Sequence, residues 1–252
     1  MDQKEILEFL TKTVQNAYLQ IKNKEPDILT KSIKDLVTNC DYLVESYIIN
    51  EMNAKYPNID IISEEFNSGQ EKTSAYFVID PIDGTKNFAN DLDIWAIQVA
   101  YTENEKTLAS CLYFPKLDLL FTALHNEGSY KNNKPIMVKP YQGLNNSLVA
   151  FDFAKPNPKN YDLIKEVSKE VLRSRQFGAA SYGFSMVANG SLDGYCILQN
   201  TPWDIEPGLL ACIEAKALVY SDNFCTIVAN DEEIIELILK SIQIVYNNNP
   251  EY

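Results

Sequence analysis

Phe77-Val-Ile-Asp80-Pro81-Ile82-Asp83-Gly84-Thr85-Lys-Asn87-Phe88-Ala-Asn90 is the segment from which the rest of the chain can be read. An apolar run from Tyr76 to Ile79 delivers two carboxylates, Asp80 and Asp83, into a tight turn. Pro81 forces an extended conformation on Asp80 and withholds one backbone donor. Carboxylates this close repel one another in an apolar setting, so a cation is expected between them. Hard divalent cations take oxygen ligands, magnesium typically through one or two carboxylates plus phosphate. Gly84 and Thr85, at the mouth of a helix, add backbone N–H groups suited to phosphate. The plainer alternative is a turn with Asp83-Gly84 as turn formers. The first reading makes the segment a metal site fused to a phosphate site.

Working outward, residues 2–23 carry Ile6, Leu7, Leu10, Val14, Ala17, Tyr18 and Ile21 at helical spacing. Glu25-Pro26-Asp27 ends that helix, and Lys34 to Asp41 reads as a polar-apolar link into a second helix over 41–55. A short strand is expected at 59–62. Beyond the aspartate-rich turn, alternation at 94–102, 108–114 and 119–124 predicts an antiparallel meander. After Pro140 the pattern changes to strand 147–151, helix 161–173, strand 175–177, helix 181–189, strand 194–198, helix 204–216, strand 224–229 and helix 231–245. The chain therefore divides into an α+β part, 1–140, and an α/β part, 141–252, packed as one unit with the site at their interface.

The 252 residues are 46% hydrophobic, enough for a sizeable core. With 22 Lys+Arg against 35 Asp+Glu the formal net charge is −13, which argues against nucleic-acid binding. An acidic chain acting on an anionic phosphate needs metal ions to reverse the local sign. Cys40, Cys111, Cys196, Cys212 and Cys225 form no C-x-x-C pair and read as buried reduced thiols of a cytoplasmic protein. No apolar run reaches membrane-spanning length, and the N-terminus lacks a signal-peptide core. His125 is the single histidine and reads as a surface loop residue, so histidine chemistry is disfavoured and oxygen-ligated magnesium favoured.

Four acids fall at element junctions, where side chains can converge: Glu64, Asp80, Asp83 and Asp204. Each of the outer two has a simple alternative role. Asp204 begins a predicted helix and could be its N-cap, and Glu64 could be solvated.

Asp80-Pro-Ile-Asp83-Gly84-Thr85 with Asn87-Phe88, preceded by Glu64-Glu65 and followed by Trp203-Asp204, resembles the inositol monophosphatase family of magnesium-dependent, lithium-sensitive phosphatases. Asp35-Leu-Val-Thr-Asn-Cys-Asp41, Asn126-Glu-Gly128 through Ile136, and Gly178-Ala-Ala180 with Asn189 to Asp193 extend the likeness along nearly the whole chain. The resemblance implies a layered αβαβα sandwich of the sugar-phosphatase type. It implies two or three Mg2+ ions held by the Glu64, Asp80 and Asp83 side chains and the Ile82 carbonyl, with Asp204 completing the second metal site. Gly84 and Thr85 would hold phosphate oxygens, with Asp83 and Asp204 also facing substrate. Thr85 and Asp41, with Glu64, would form the catalytic set that orients and deprotonates water. Ala180 would offer a backbone contact to the substrate's organic part. A small phosphorylated metabolite is the implied partner and a homodimer the implied assembly. Metal ions can activate water and stabilise the leaving oxygen of an in-line displacement, so no protein nucleophile is required.

Three departures matter. Trp203-Asp-Ile-Glu-Pro-Gly208 places Glu206 and Pro207 where the family has small residues; both fit the first turn of a helix, Glu206 by favouring the helix dipole, and the alternative for Glu206 is to perturb the second metal site or contact the substrate. Ile197 stands where inositol-preferring members carry an acid that contacts sugar hydroxyls, which disfavours inositol; Gln199 and Asn200 are polar substitutes nearby. Glu214-Ala-Lys-Ala217 replaces a Gly-Gly turn, and the sheet beyond it is expected to be shortened. Inositol monophosphate, the 2'-phosphate of NADP, fructose 1,6-bisphosphate and 3'-phosphoadenosine 5'-phosphate are the candidate substrates. A regulatory, protein-binding role on the same fold is the alternative class.

Overall fold

The computed structural model describes residues 2–32, 35–155, 157–198 and 201–247. Its elements run α1 (Gln3–Ile21), β1 (Ile28–Ser32), β2 (Asp35–Thr38), α2 (Asn39–Lys55), β3 (Asp60–Ser63), β4 (Ala75–Asp83), α3 (Thr85–Ala89), β5 (Ala96–Glu103), β6 (Lys106–Phe114), β7 (Leu119–Leu124), β8 (Gly128–Lys131) and β9 (Lys134–Ile136). There follow β10 (Leu148–Phe153), α4 (Pro158–Val167), β11 (Arg173–Arg175), α5 (Ala180–Ala188), β12 (Gly194–Leu198), α6 (Pro202–Glu214), β13 (Leu218–Ser221), β14 (Cys225–Ala229) and α7 (Glu232–Asn247).

The apolar stripe of α1, from Ile6 through Leu10, Val14 and Ala17 to Ile21, is buried, and Asp2 caps the helix by accepting the Lys4 N–H at 2.9 Å. Together with α2 it covers one face of a seven-stranded sheet ordered β3-β4-β5-β6-β7-β8-β9, meeting Phe77, Ile79, Ile97 and Val99. Strand β3 runs parallel to β4, and every later neighbour pair in that sheet is antiparallel. On its other face lie α5 and α6, which bury Phe184, Leu210 and Ala211 against Leu112, Phe114 and Phe121. The same two helices rest on a five-stranded mixed sheet ordered β11-β10-β12-β14-β13, whose far side is closed by α4 and α7 through Leu163, Val167, Ile234 and Ile238. The result is the αβαβα layering expected from the resemblance. Each fully buried Phe or Leu in these layers is worth roughly 1.5–3 kcal/mol relative to exposure.

Several expectations fail in detail. The link before α2 is a two-stranded antiparallel hairpin, β1–β2, whose strands pair only with each other. Helix α4 stops at Val167, and the amides of Leu172 and Arg173 instead reach the Ser147 carbonyl, starting an edge strand where helix was expected to 173. Strand β13 was not anticipated; it pairs antiparallel with β14. Helix α6 begins at Pro202 rather than Asp204, which moves Glu206 and Pro207 out of the first turn.

Candidate active site

Strand β4 is buried on both faces, and its alternation sorts the side chains. Phe77 and Ile79 face α1 and α2, whereas Tyr76 and Val78 face the α6 side, where Trp203 packs against them. Asp80 continues the second set. Its pairing partner on β5 is Gln98, but Asp83 pairs with Ala96, so β4 holds one residue more than β5 between these points. This bulge re-aims the strand end. Ile82 joins the core beneath α1 and α2, and Asp83 turns toward α5. The two carboxylates thus lie in a bulged strand end rather than in a free turn.

Helix α6 supplies the third acid. Thr201 and Asp204 form a capping box: the Thr201 hydroxyl donates to Asp204 Oδ2 at 2.7 Å and its amide at 3.3 Å. Asp204 is therefore the third helical residue and not the N-cap. Pro207 sits inside α6 and cannot donate to the Trp203 carbonyl. Gln98 fills that gap: its side-chain amide donates to the Trp203 carbonyl at 3.0 Å and to Asp80 Oδ2 at 3.3 Å. One glutamine thereby joins the proline-broken helix turn to the strand carboxylate.

Asp83 meets the N-terminus of α5. Ala179 at the N-cap has no capping side chain, and Asp83 takes its place. Ala180 N–H donates to Asp83 Oδ1 at 3.0 Å and Ser181 N–H to Oδ2 at 2.7 Å, with the Ser181 hydroxyl also donating to Oδ2. The Ala180 amide is thus engaged by Asp83, and Ser181 is a contact the sequence reading missed. Gly84 follows with φ +89°, and a Cβ there would stand 3.1 Å from both Ala179 Cβ and the Ile94 carbonyl, so any side chain at this position is strained. Asn87 bridges the same segments, donating to the Ile94 carbonyl at 2.7 Å and the Phe177 carbonyl at 2.8 Å.

The Thr85 hydroxyl lies 3.2 Å from Asp41 Oδ1 and 3.0 Å from the Ile82 carbonyl. Asp41 is itself the acid of a capping box at the start of α2, taking the Thr38 amide at 2.8 Å and hydroxyl at 2.6 Å on Oδ2. The capping role and the contact with Thr85 use different oxygens of one carboxylate.

Ligand oxygens of Asp80, Asp83 and Asp204 all lie within 4.8 Å of one another. Burial pushes the Asp80 carboxyl well above its usual range, and the negative charges of Glu64, Asp83 and Asp204 push it further. Burial raises Asp83 to about 7 against the opposing Ser181 bond. It raises Asp204 and Asp41 as well, opposed by the threonine caps. Glu64 lies just past the end of β3, half-buried, close enough for its charge to act on Asp80. Beside the site Asp152, unnoticed in the sequence, accepts the Gly178 amide at 2.8 Å and the Tyr195 hydroxyl at 3.2 Å, and burial lifts it to about 7.

The remaining singled-out residues fall elsewhere. Glu206 is in the second turn of α6, where its half-buried carboxylate accepts from Lys72 at 2.8 Å, Tyr76 at 3.1 Å and Thr102 at 2.7 Å. It ties the segment before β4 to the sheet, so the first-turn dipole role does not apply. Ile197 is packed in the middle layer, 3% exposed. Gln199 and Asn200 lie outside the described residues. His125 occupies the turn after β7, its Nδ1 3.7 Å from Glu214, which also holds the Asn126 and Gly128 amides. All five cysteines are buried free thiols. No described helix is long and apolar enough to cross a membrane.

The model of the inositol monophosphatase family matches residues 2–250. A fructose-1,6-bisphosphatase/inositol-1-monophosphatase from Aquifex aeolicus is 31% identical over 198 residues, covering 77% of this chain and 75% of the relative. The Nus factor SuhB of Escherichia coli is 33% identical over 209 residues, covering 79% and 78%. The solved inositol monophosphatase from Anabaena superposes with a TM-score of 0.86 over 97% of this chain and 98% of that one, at 21% identity, a likeness of fold.

Proposed function

The chain belongs to the inositol monophosphatase family, a family of phosphatases, and on that premise we propose that it is a magnesium-dependent phosphomonoesterase acting on a small phosphorylated metabolite. The observation that carries this reading is Asp80, whose buried Oδ1 has no hydrogen-bond partner among the described residues and whose carboxylate clusters with those of Asp83 and Asp204. An orphaned anionic oxygen among other carboxylates calls for a cation, and an all-oxygen donor set suits Mg2+. Asp80, Asp83, Asp204, Glu64 and the Ile82 carbonyl are the groups that would hold it. Asp83 spends its oxygens on the α5 amides, yet a carboxylate has about four acceptor directions and retains capacity. Bound magnesium supplies charge neutralisation for the phosphoryl oxygens and a lowered pKa for water.

The chain's own residues do the rest. Thr85 Oγ1, hydrogen-bonded between Asp41 and the Ile82 carbonyl, would orient a water, and Asp41 would receive a proton through it. The backbone N–H groups of Gly84 and Thr85, at the start of α3, would hold phosphate oxygens. Ile197, being apolar and buried, cannot hydrogen-bond a polyol, so a substrate other than inositol monophosphate is favoured.

Phosphate release from inositol monophosphate, NADP, fructose 1,6-bisphosphate and 3'-phosphoadenosine 5'-phosphate, each with Mg2+ and with EDTA, tests the proposal. Magnesium-dependent release supports it, and the ranking identifies the substrate class. Absence of release from all four favours the second reading, a regulatory role on this fold, which the SuhB relatives motivate.

A further inference from the structure

Glu45 is a fully buried carboxylate in the middle of α2, remote in sequence from the aspartate motif. Its side chain accepts three hydrogen bonds from one short segment. The Ser63 hydroxyl donates to Oε1 at 2.5 Å, the Glu65 amide to Oε2 at 3.0 Å and the Phe66 amide to Oε1 at 2.7 Å. Glu64 is the residue enclosed by these contacts. It stands where β3 has ended and no ladder holds the backbone. A carboxylate buried this deeply carries a heavy desolvation penalty, which an apolar side chain would avoid if α2 needed only packing there. These three bonds also reach outside α2, to a segment 18–21 residues away.

Glu45 is also one helical turn beyond Asp41, on the same face of α2. Asp41 reaches Thr85, and Glu45 reaches the segment around Glu64. Two successive turns of one helix thus hold Thr85 and the segment around Glu64.

We propose that Glu45 is a positioning residue for Glu64: by clamping residues 63–66 it sets the approach of the Glu64 carboxylate to the Asp80 cluster and so the affinity for magnesium. The inference rests on the reading of the cluster as a magnesium site. Groups behind metal ligands typically govern affinity by 10–100-fold.

The test uses the full chain with Glu45→Gln, which keeps shape but replaces an acceptor oxygen by a donor, and Ser63→Ala, which removes one donor and leaves the carboxylate. Glu51→Gln, exposed on the same helix, is the control. Three quantities are read: Mg2+ binding by calorimetry, the Mg2+ concentration for half-maximal phosphate release with turnover at saturating metal, and amide hydrogen exchange at Glu65 and Phe66 without metal. Glu45→Gln is expected to weaken Mg2+ binding about tenfold or more, with turnover largely restored at saturating metal and exchange accelerated at both amides. Ser63→Ala shifts affinity the same way by less, and it carries the test if Glu45→Gln does not fold. Wild-type Mg2+ affinity in a folded Glu45→Gln, or in Ser63→Ala where Glu45→Gln is unfolded, overturns this inference alone. A wild-type protein that takes up no Mg2+ overturns the function reading and this inference with it.

Discussion

Asp80→Asn is expected to make the metal-free protein more stable while abolishing turnover. Asp80 takes part in two of the three close pairs formed with Asp83 and Asp204. At the outer limit of 4.8 Å, each ionised pair costs about 3.5 kcal/mol at an effective dielectric near 20. Proton uptake caps that cost, since burial and the neighbouring charges already raise Asp80 well above its usual range. At pH 8 the net relief from asparagine is therefore about 1–3 kcal/mol, or roughly 5 °C in Tm for a chain of this size. Thermal melts in EDTA at pH 8 and pH 5 read it directly, and the gap should narrow at pH 5, where the wild-type cluster holds more protons. Saturating Mg2+ should reverse the order: at 100 times its Kd a ligand adds about 2.7 kcal/mol to the protein that binds it, and the variant lacks one of the proposed carboxylate ligands. An Asp80→Asn protein no more stable than wild type in EDTA at pH 8 would refute the reasoning.

Asp152 has a carboxyl lifted by burial to about 7. Between about pH 4 and pH 7 the native state keeps a proton that the unfolded chain has released, so this group's contribution to stability is present at low pH and is lost as pH rises to about 7. Asp152→Asn, which mimics the neutral acid, should remove up to about 1.4 kcal/mol per pH unit from the slope of metal-free stability over that window; urea unfolding at several pH values checks it, and an unchanged slope argues against it. Gly84→Ala should destabilise by about 2 kcal/mol, from left-handed backbone strain and the two close contacts, with a matching fall in phosphate release. Gln98→Leu strands the Trp203 carbonyl and should cost about 1–3 kcal/mol by chemical denaturation; a loss below about 0.5 kcal/mol would show that another donor reaches that carbonyl.

The parts of this fold legible in the sequence are those written locally. Alternation in β5 to β7 and the stripe of α1 follow from side-chain period alone, and Asp80-Pro-Ile-Asp83-Gly84-Thr85 carries its own turn chemistry. The start of α6 was misplaced because Pro202 and the Thr201–Asp204 box were passed over in favour of Asp204 as a cap, although both signals are local. The other misses depend on distant partners. Nothing in the neighbourhood of Glu45, Gln98 or Asp152 marks them, since each is defined by groups that folding brings from elsewhere: Glu65 and Phe66, Trp203, and Gly178 with Tyr195. The β1–β2 hairpin escaped because its strands are short and answer only to each other.

The capping of α5 by Asp83 has a consequence for the order of assembly. The amides that receive this carboxylate lie 97 and 98 residues further along the chain, the Trp203 carbonyl lies 105 residues beyond Gln98, and the Glu206 anchor for Lys72 lies 134 residues away. During synthesis the strand bearing Asp80 and Asp83 leaves the ribosome long before the groups that complete its surroundings. Until α5 and α6 arrive, that strand end has its charge and neither its amides nor its third acid. Contacts of such long sequence separation close late, so the nascent chain carries the strand bearing Asp80 and Asp83 as an open acidic edge, and the cluster becomes enclosed only when the middle layer is laid down.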